Sequence, residues 1–403
     1  MLGRCAAVVL RCRFLILALV VTSGAVRLYE LRFSDFLYFE YFGRTALHRP
    51  HFGGGWASLM HVYANYPTLQ VGPPALFAAI PIQLLPPRAA NEAAVVVMAL
   101  CLVACLYLLE RVARDTPSVR RPSPGFTLLA GFAIMPMWLN LSALYLHLDD
   151  VLIFLLALAA VCAVVQQSWL GAAVCLGTAT AIKPWAIAIV PVLFALHRVA
   201  WWKAGLACVL MFLVWWAPFW IADHDTFVAL AHGNYPIHAG SSWALFGVDG
   251  QHDKVLCRGE LCLYAAYAWM RPLQFLISFA LAAVAVSRGR WLAAPLVGLL
   301  GRVLLDAQVW PYYGVGPVLM ALLLDITARR RLPVLAALVT VAEYSYVVVD
   351  NSSAIAIVRL VIGAGVIGGL LRPGRAGQPT DGTDTGRPAA RNTDDGPVAE
   401  TIS

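Results

Sequence analysis

Asp35 lies a few residues beyond the first apolar run, within Phe33-Ser34-Asp35-Phe36. A carboxylate at the membrane surface can remain ionised and accept the proton of a hydroxyl that attacks an electrophile. A helix N-terminal acid, satisfied by backbone N–H groups, would occupy the same kind of position. The position of Asp35 alone leaves both roles open.

The sequence His147-Leu148-Asp149-Asp150 separates two apolar runs. Either acid could cap the helix that follows, but capping does not account for all three polar side chains. A divalent metal is an alternative ligand, although three such groups in four residues match no diagnostic metal spacing. We therefore expect His147, Asp149 and Asp150 to bind sugar, acceptor or phosphate, with no certain cofactor.

Lys183 interrupts the otherwise apolar segment 169–197 and is followed by Pro184. An ammonium within a membrane segment is costly and needs a counter-ion or a wet cavity. A polyprenyl phosphate would be such a counter-ion, so Lys183 is a candidate for binding it. Snorkelling of the side chain to the lipid surface is the competing explanation.

Arg302 and Asp306 are one helical turn apart, which predicts an ion pair. The ion pair accounts for both charges and leaves Arg302 as a second candidate for binding phosphate. Glu343 and Arg359, on the last two apolar runs, are predicted to neutralise one another and to be structural.

Aromatic and polar side chains are mixed in the long, less apolar segments such as residues 222–271. Such a mixture suits carbohydrate, because sugar faces stack on rings. Ordinary interfacial Trp and Tyr would look similar. Cys257 and Cys262 share one of these segments and could form a disulfide on an oxidising face. The further candidates for binding sugar or acceptor are Tyr66, His232, His238, Tyr312 and Tyr313.

The composition indicates which elements must position these residues. Of 403 residues, 61% are hydrophobic and only 13% are charged, whereas a soluble domain carries about 25% charged residues. This excludes a water-soluble globule. At about 20 residues per membrane-spanning helix, the sequence predicts an all-α polytopic membrane protein with about twelve transmembrane helices.

The short basic segments predict the orientation, because cytoplasmic loops are enriched in Lys and Arg. They all fall inside if the proline-rich stretch 69–85 is an embedded helix and not a span. Both termini are then cytoplasmic, and residues 27–90 and 222–271 form two long periplasmic loops. The net charge of +7 is thus mainly an orientation signal and gives no support to nucleic-acid binding. The basic segments are the N-terminus, 111–121, 198–203, 288–290, 329–331 and 372–375.

Two parts of the chain differ in composition. Residues 1–371 are predicted to form one integral membrane domain. Residues 372–403 are rich in Gly, Pro, Thr and Asp and have almost no large apolar side chain. Such a segment buries too little surface to fold, so we expect a disordered cytoplasmic tail.

These motifs together resemble the GT-C superfamily of membrane glycosyltransferases. They are most similar to a GT87-like, polyprenol-phosphate-mannose-dependent group typified by actinobacterial mannosyltransferases. The resemblance covers roughly the first half of the chain. It rests on Ser34-Asp35-Phe36, on Tyr66-Pro67 to Pro81, on His147-Leu148-Asp149-Asp150, and on the Gly-containing run that ends in Lys183-Pro184.

The resemblance implies an inverting transfer of a sugar, with mannose expected, from a polyprenyl-phosphate donor to a lipid or glycolipid acceptor. It implies a site at the periplasmic face of the cell's inner membrane, with Asp35 as general base and Lys183 bound to the donor phosphate. It also implies that residues 69–85 correspond to the embedded first-loop helices of the family. Gln308 stands where related enzymes often have a histidine.

Two alternatives remain open on the sequence. The first keeps the chemistry and changes the sugar to arabinofuranose or another sugar. The second is a twelve-span transporter, because ionisable residues in spans can mark a permeation path. Against a transporter, the candidate residues are predicted to cluster at one face, and no matching pair of broken helices recurs in two halves.

Overall fold

A computed structural model provides the structure of the protein. It describes residues 8–31, 37–47, 59–66, 69–116, 123–226, 235–248, 250–258, 261–328, 332–349 and 351–372. Asp35, His232 and the predicted tail beyond Arg372 lie outside the described residues.

The structure is 80% helical, which confirms the predicted all-α class. The longer helices, numbered in chain order, are α1 (Arg13–Leu28), α2 (Leu37–Ala46), α3 (Pro73–Ala79), α4 (Pro87–Asp115), α5 (Pro124–Leu139), α6 (Leu148–Val165), α7 (Trp169–Ile182), α8 (Arg198–Ala222), α9 (Met270–Ser287), α10 (Ala294–Leu304), α11 (Val315–Thr327), α12 (Val334–Val348) and α13 (Ser352–Leu371). Short helical turns cover Tyr29–Leu31, Val62–Asn65, Ile80–Leu84, Asn140–Leu144, Pro184–Ala188, Val190–Ala195, Ser242–Leu245 and Trp291–Ala293.

Besides the helices, the described part of the chain contains one antiparallel β-hairpin. It pairs β1 (Gln251–Arg258) with β2 (Leu261–Ala265). Its register places the backbone of Cys257 opposite that of Cys262, so the two cysteines that the sequence singled out are cross-strand neighbours.

Six helices of the described chain are long and apolar enough to cross a membrane, which indicates a membrane-embedded protein. Further apolar helices are shorter and include Trp169–Ile182 and Val315–Thr327. The count of about twelve transmembrane helices stays a prediction. The six long helices are Pro87–Asp115, Pro124–Leu144, Leu148–Val165, Ala200–Ala222, Met270–Ser287 and Ser352–Leu371.

Helix α1 shows how these helices divide their surface. Leu17, Val21 and Ala25, spaced four residues apart, are fully buried against the bundle, while Leu15 and Leu19 on the opposite side are exposed. A continuous apolar surface is unfavourable in water and marks a contact with a membrane or with another protein. The exposed face of α1 therefore supports the membrane assignment.

The predicted span at 185–197 is not a regular α-helix. It consists of two 3₁₀ segments, each with a proline in its first turn, because Pro184 and Pro191 lack the N–H that an α-helix needs. A 3₁₀ helix rises about 2.0 Å per residue, against about 1.5 Å in an α-helix. The twelve residues Pro184–Ala195 therefore reach about 24 Å, more than their number suggests.

Polar contacts define one end of the bundle, which we call the Arg13 end. Arg13 of α1 donates from Nε and Nη2 to the two carboxylate oxygens of Glu110 in α4, at 2.7 Å each. Arg290, after α9, donates to the carbonyl of Leu370 at the end of α13 (3.0 Å). Among the described residues, basic side chains from the predicted cytoplasmic segments gather at this end: Arg111, Arg114, Lys203, Arg288 and Arg290.

The opposite end contains the start of α6 and the end of α7, and we call it the Lys183 end. There His61 lies 3.0 Å from the carboxylate of Asp223, which follows α8. This hydrogen bond holds the pKa of Asp223 below its ordinary value. The contact ties the first long loop to the last turn of α8.

The predicted pairing of Glu343 and Arg359 is confirmed. Arg359 Nη2 lies 3.2 Å from Glu343 Oε2, and both side chains are buried between α12 and α13. A buried charge left without its partner would be strongly destabilising. The pair therefore keeps two charges neutral inside an apolar bundle.

Candidate functional site

A strained turn presents the His147 segment. Helix α5 ends in a π-helical turn, Asn140–Leu144, and Leu146 then adopts a left-handed backbone with φ of 52°. Bulky residues rarely adopt this conformation, and such strain persists only where the surrounding packing enforces it. The Leu146 side chain is almost fully buried, which supplies that packing. His147 thereby precedes α6, and Asp149 and Asp150 fall in its first turn.

Lys183 lies against both of these acids. Its Nζ is 2.6 Å from Asp149 Oδ2 and 3.0 Å from Asp150 Oδ1. His147 Nδ1 lies 3.4 Å from Asp149 Oδ1 and 3.9 Å from Asp150 Oδ2. The structure thus brings Lys183 against the His147, Asp149 and Asp150 motif, two candidates that the sequence predicted separately. We call His147, Asp149, Asp150 and Lys183 the charge cluster.

The cluster bears on the alternatives left open by the sequence. His147 is the residue before α6 and makes no side-chain capping bond, while both acids lie against Lys183. Lys183 does not snorkel: only 14% of its side chain is exposed, and Asp149 is fully buried. A cation paired with two carboxylates is the arrangement that allows such burial.

The charge cluster also contains the ligand types of a divalent metal. One ligand atom each of His147, Asp149 and Asp150 can be chosen so that all lie within 4.8 Å of one another. The Lys183 ammonium, however, already lies against both carboxylates. A metal ion would therefore have to displace Lys183 from these oxygens.

A cavity of about 400 Å³ adjoins Lys183. Three cationic side chains line it, Lys183, Arg271 and Arg302, together with one carboxylate, Asp306. A space of this size with several cations among aromatic rings suits an anionic ligand with an apolar portion. Its other lining residues include Gln70, Trp185, Tyr235, Gln274 and Tyr313.

Arg302 occupies one wall of this cavity in the last turn of α10. Its Nη2 lies 3.1 Å from Asp306 Oδ2, which confirms the predicted ion pair. Its guanidinium is 4.9 Å from the ring centre of Trp185 and 4.2 Å from that of Tyr313. The Nε of Arg302 is buried and has no hydrogen-bond partner among the described residues. One donor in the wall therefore remains to be satisfied.

Arg271, in the first turn of α9, occupies another wall. Its Nη2 donates to Gln70 Oε1 at 3.2 Å, and its guanidinium lies over the ring of Tyr235. Sequence reasoning missed Arg271, although one signal was present. It is a basic residue at the start of a span, away from every basic segment that the orientation explains.

Tyr312 and Tyr313 connect the charge cluster to the cavity. The ring of Tyr312 lies 4.3 Å from that of His147, while Tyr313 faces Arg302 inside the cavity. Burial raises the pKa of the Tyr313 phenol, so its hydroxyl is protonated at neutral pH. Both predicted tyrosines are thus next to other predicted site residues.

Two other candidates lie elsewhere. The ring of Tyr66 packs 5.0 Å from Tyr41, and Tyr66 does not line the cavity. His238 Nδ1 lies 3.2 Å from the backbone N of Val309, and its ring is 5.1 Å from that of Trp310. Burial lowers the pKa of His238 below its ordinary value. The hydrogen bond with Val309 ties His238 to the loop that carries Tyr312. His238 is not among the residues that line the cavity.

Gly72 packs against the backbone that leads into Lys183. Its backbone N–H donates to the carbonyl of Ile182 at 2.7 Å, and a Cβ at this position would lie 1.7 Å from the carbonyl oxygen of Ala181. Only glycine permits this approach. The proline-rich segment that the sequence predicted to be embedded therefore contacts the backbone immediately before Lys183.

In comparisons with known proteins, the chain matches no family model and no curated protein.

Proposed function

We propose that this protein is a GT-C-type membrane glycosyltransferase. It transfers a sugar, expected to be mannose, from a polyprenyl-phosphate donor to a lipid or glycolipid acceptor. The observation that carries the proposal is the cavity lined by Lys183, Arg271 and Arg302 at one end of apolar helices. A polyprenyl-phosphate sugar keeps its tail in lipid and its phosphate at the interface, and it needs a cationic cavity at that level.

The aromatic walls of the cavity support the sugar half of the proposal. Trp185 and Tyr313 flank Arg302, so a sugar attached to a phosphate bound there would have rings beside it. The carboxylates of Asp149 and Asp150 lie close by on Lys183. Of the two, only Asp150 has any exposed side-chain surface (6%), so Asp150 is the one that can accept a hydrogen bond from a hydroxyl of the sugar or the acceptor.

The proposed reaction balances without a cofactor. An acceptor hydroxyl oxygen forms a bond to the anomeric carbon as the bond from that carbon to the phosphate oxygen breaks. The electron pair leaves with the polyprenyl phosphate, and the hydroxyl proton passes to the carboxylate of Asp35. Attack opposite the leaving group inverts the configuration. Cations at the departing phosphate stabilise charge as it develops, and a general base contributes about 10²–10⁴-fold.

The distribution of basic residues supports a periplasmic site. Arg111, Arg114, Lys203, Arg288 and Arg290 lie at the Arg13 end, which the enrichment of Lys and Arg in cytoplasmic loops assigns to the cytoplasm. The Lys183 end, with the cavity and the charge cluster, is then periplasmic.

The test is incubation of membranes containing the protein with radiolabelled polyprenyl-phosphate-mannose and lipid acceptors. Wild type should form a labelled glycolipid, and Asp35→Asn should lower the rate by about 10²-fold or more without changing expression. Asp225→Asn is the matched control, because Asp225 is an exposed aspartate of the other predicted periplasmic loop. It should retain full activity.

Each other outcome has a defined meaning. Undiminished transfer by Asp35→Asn contradicts the assignment of the base. A product formed only from polyprenyl-phosphate-arabinose keeps the chemistry and corrects the sugar. Accumulation of label inside vesicles without a covalent product contradicts the enzyme and favours the transporter.

A further inference from the structure

The three cations of the cavity differ in how much of their charge is already neutralised. Lys183 lies within 3.0 Å of two carboxylates, Asp149 and Asp150. With His147 neutral, two acids and one ammonium leave the cluster with a net negative charge, so the Lys183 region does not attract a further anion. The third N–H of Lys183 can still donate a hydrogen bond, but the cluster as a whole is electrostatically unfavourable for a phosphate.

Arg302 is partly neutralised. One carboxylate, Asp306, lies 3.1 Å from its Nη2. Its buried Nε has no partner in the described chain, so this side of the guanidinium can still donate to an oxygen. Arg302 thus offers a directed hydrogen bond but little net charge.

Arg271 is the cavity cation with the most charge available. In the part of the chain that the structure describes, no carboxylate lies within 4.0 Å of it, and its hydrogen-bond partner is the neutral amide of Gln70. Tyr235 beneath the guanidinium fixes its plane. An arginine held in this way presents remaining N–H groups in the fork geometry that matches phosphate oxygens.

We propose that Arg271 is the residue that binds the phosphate of the donor, with Arg302 Nε as a second hydrogen-bond donor. The identity of the ligand rests on the proposed function. Arg271 and Arg302 carry two positive charges against the one negative charge of Asp306. The remaining single positive charge matches the single negative charge of a phosphodiester.

The charge cluster then has a different role from the one expected of Lys183. Lys183 holds Asp149 and Asp150 in place beside the phosphate site. It is a positioning residue, and the donor's negative charge is met on the Arg271 wall. The carboxylates of Asp149 and Asp150 do not line the cavity, which keeps them out of direct contact with the phosphate.

The experiment measures binding of methyl undecaprenyl phosphate, a phosphodiester that lacks a sugar, to purified protein in detergent by thermophoresis. Undecaprenol, which lacks the phosphate, is the uncharged probe. Wild type should bind the phosphate at least about 10-fold more tightly than the alcohol, because hydrogen bonds to a charged group contribute about 1.5–3 kcal/mol. Arg271→Gln should weaken phosphate binding about 10- to 100-fold and leave alcohol binding unchanged.

Arg288→Gln is the matched control, because Arg288 is an exposed arginine at the opposite end of α9. It should bind like wild type. If Arg271→Gln does not fold, Arg271→Lys replaces it, since lysine keeps the charge and loses the fork; we expect about 3- to 10-fold weaker binding. Phosphate binding by a folded Arg271 variant that equals wild type overturns the proposal, as does equal wild-type affinity for phosphate and alcohol.

The binding result is separable from the proposed function. Tight phosphate binding that depends on Arg271, without any mannosylated product, would contradict the transfer reaction and keep the Arg271 site. Normal transfer by Arg271→Gln with an unchanged KM for the donor would contradict the Arg271 site and keep the reaction.

Discussion

At the scale of single residues, the surroundings of Lys183 are dominated by the two acids that it contacts. Asp149 is fully buried and Asp150 nearly so, and neither carboxylate could remain ionised there without a nearby cation. The ammonium is the counter-charge they need. The contribution of Lys183 is therefore first to the folded state, and any effect on the proposed reaction would follow from that.

Replacing Lys183 with Met should destabilise the protein, because it leaves two buried carboxylates without their cation. Removal of one partner from a buried ion pair costs about 3–5 kcal/mol. Thermal unfolding of the purified variant in detergent measures this. Lys203→Met is the control, since Lys203 is an exposed lysine at the Arg13 end, and it should unfold near the wild-type temperature.

Adding Asp150→Asn to Lys183→Met should recover part of the lost stability, because one buried charge is then removed. A Lys183→Met protein as stable as wild type would mean that the acids do not depend on the ammonium. The double variant separates a charge effect from a packing effect, which would not be relieved by Asp150→Asn.

At the scale of elements, the site depends on where helices stop. The start of α6, the end of α7, the start of α9 and the end of α10 supply its charged residues. At the Lys183 end of the bundle, each of these helices begins or ends beside backbone that is not α-helical, such as the strained turn at Leu146. Side chains at helix ends can converge on a cavity, whereas those in mid-helix point at neighbouring helices or lipid.

Gly72→Ala should loosen the contact between the segment before α3 and the end of α7. The added methyl would clash with the carbonyl of Ala181, and backbone on one side must shift. We expect a lower unfolding temperature and a donor KM raised several-fold, because Lys183 directly follows that segment. Gly205→Ala is the control, since a Cβ there meets nothing within 4 Å and alanine favours the helix by about 1 kcal/mol. Unchanged KM and stability in Gly72→Ala would contradict this role.

The helices and the ion pairs Arg302–Asp306 and Glu343–Arg359 were predictable from the sequence, and the cavity was not. Apolar runs and i,i+4 spacing depend on neighbours in the chain, so α10 with Arg302 and Asp306 followed directly. Arg271 meets Gln70, which is about 200 residues away in sequence, and no local pattern encodes that contact. Lys183 was selected for its cost in lipid, but its partners Asp149 and Asp150 became clear only from how α6 packs against α7.

At the scale of the whole molecule, the distribution of charge predicts which end of the helix bundle faces which side of the membrane. The Arg13 end carries the basic side chains of the described cytoplasmic segments, and the Lys183 end carries the cavity lined by three cations and one carboxylate. In a membrane this asymmetry sets the orientation. The proposed reaction and the predicted topology are therefore linked, because a donor on the periplasmic side would reach only a cavity that faces it.

Fusions to alkaline phosphatase, which is active only outside the cytoplasm, test this orientation. A fusion after Phe246, in the exposed loop at the Lys183 end, should be active, and one after Ser287, at the Arg13 end of α9, should be inactive. A cytoplasmic fluorescent reporter at the same two positions should give the opposite pattern. Activity after Ser287 and none after Phe246 would reverse the topology.

Tyr312 and Tyr313 are consecutive residues that serve different neighbours, one packed on His147 and the other on Arg302. One peptide unit therefore joins the acids beside Lys183 to the wall of the cavity. Because the peptide bond between them is planar, a shift of the backbone at Tyr312 also moves the backbone at Tyr313. A substitution that displaces this short segment would therefore alter the packing against His147 and against Arg302 together.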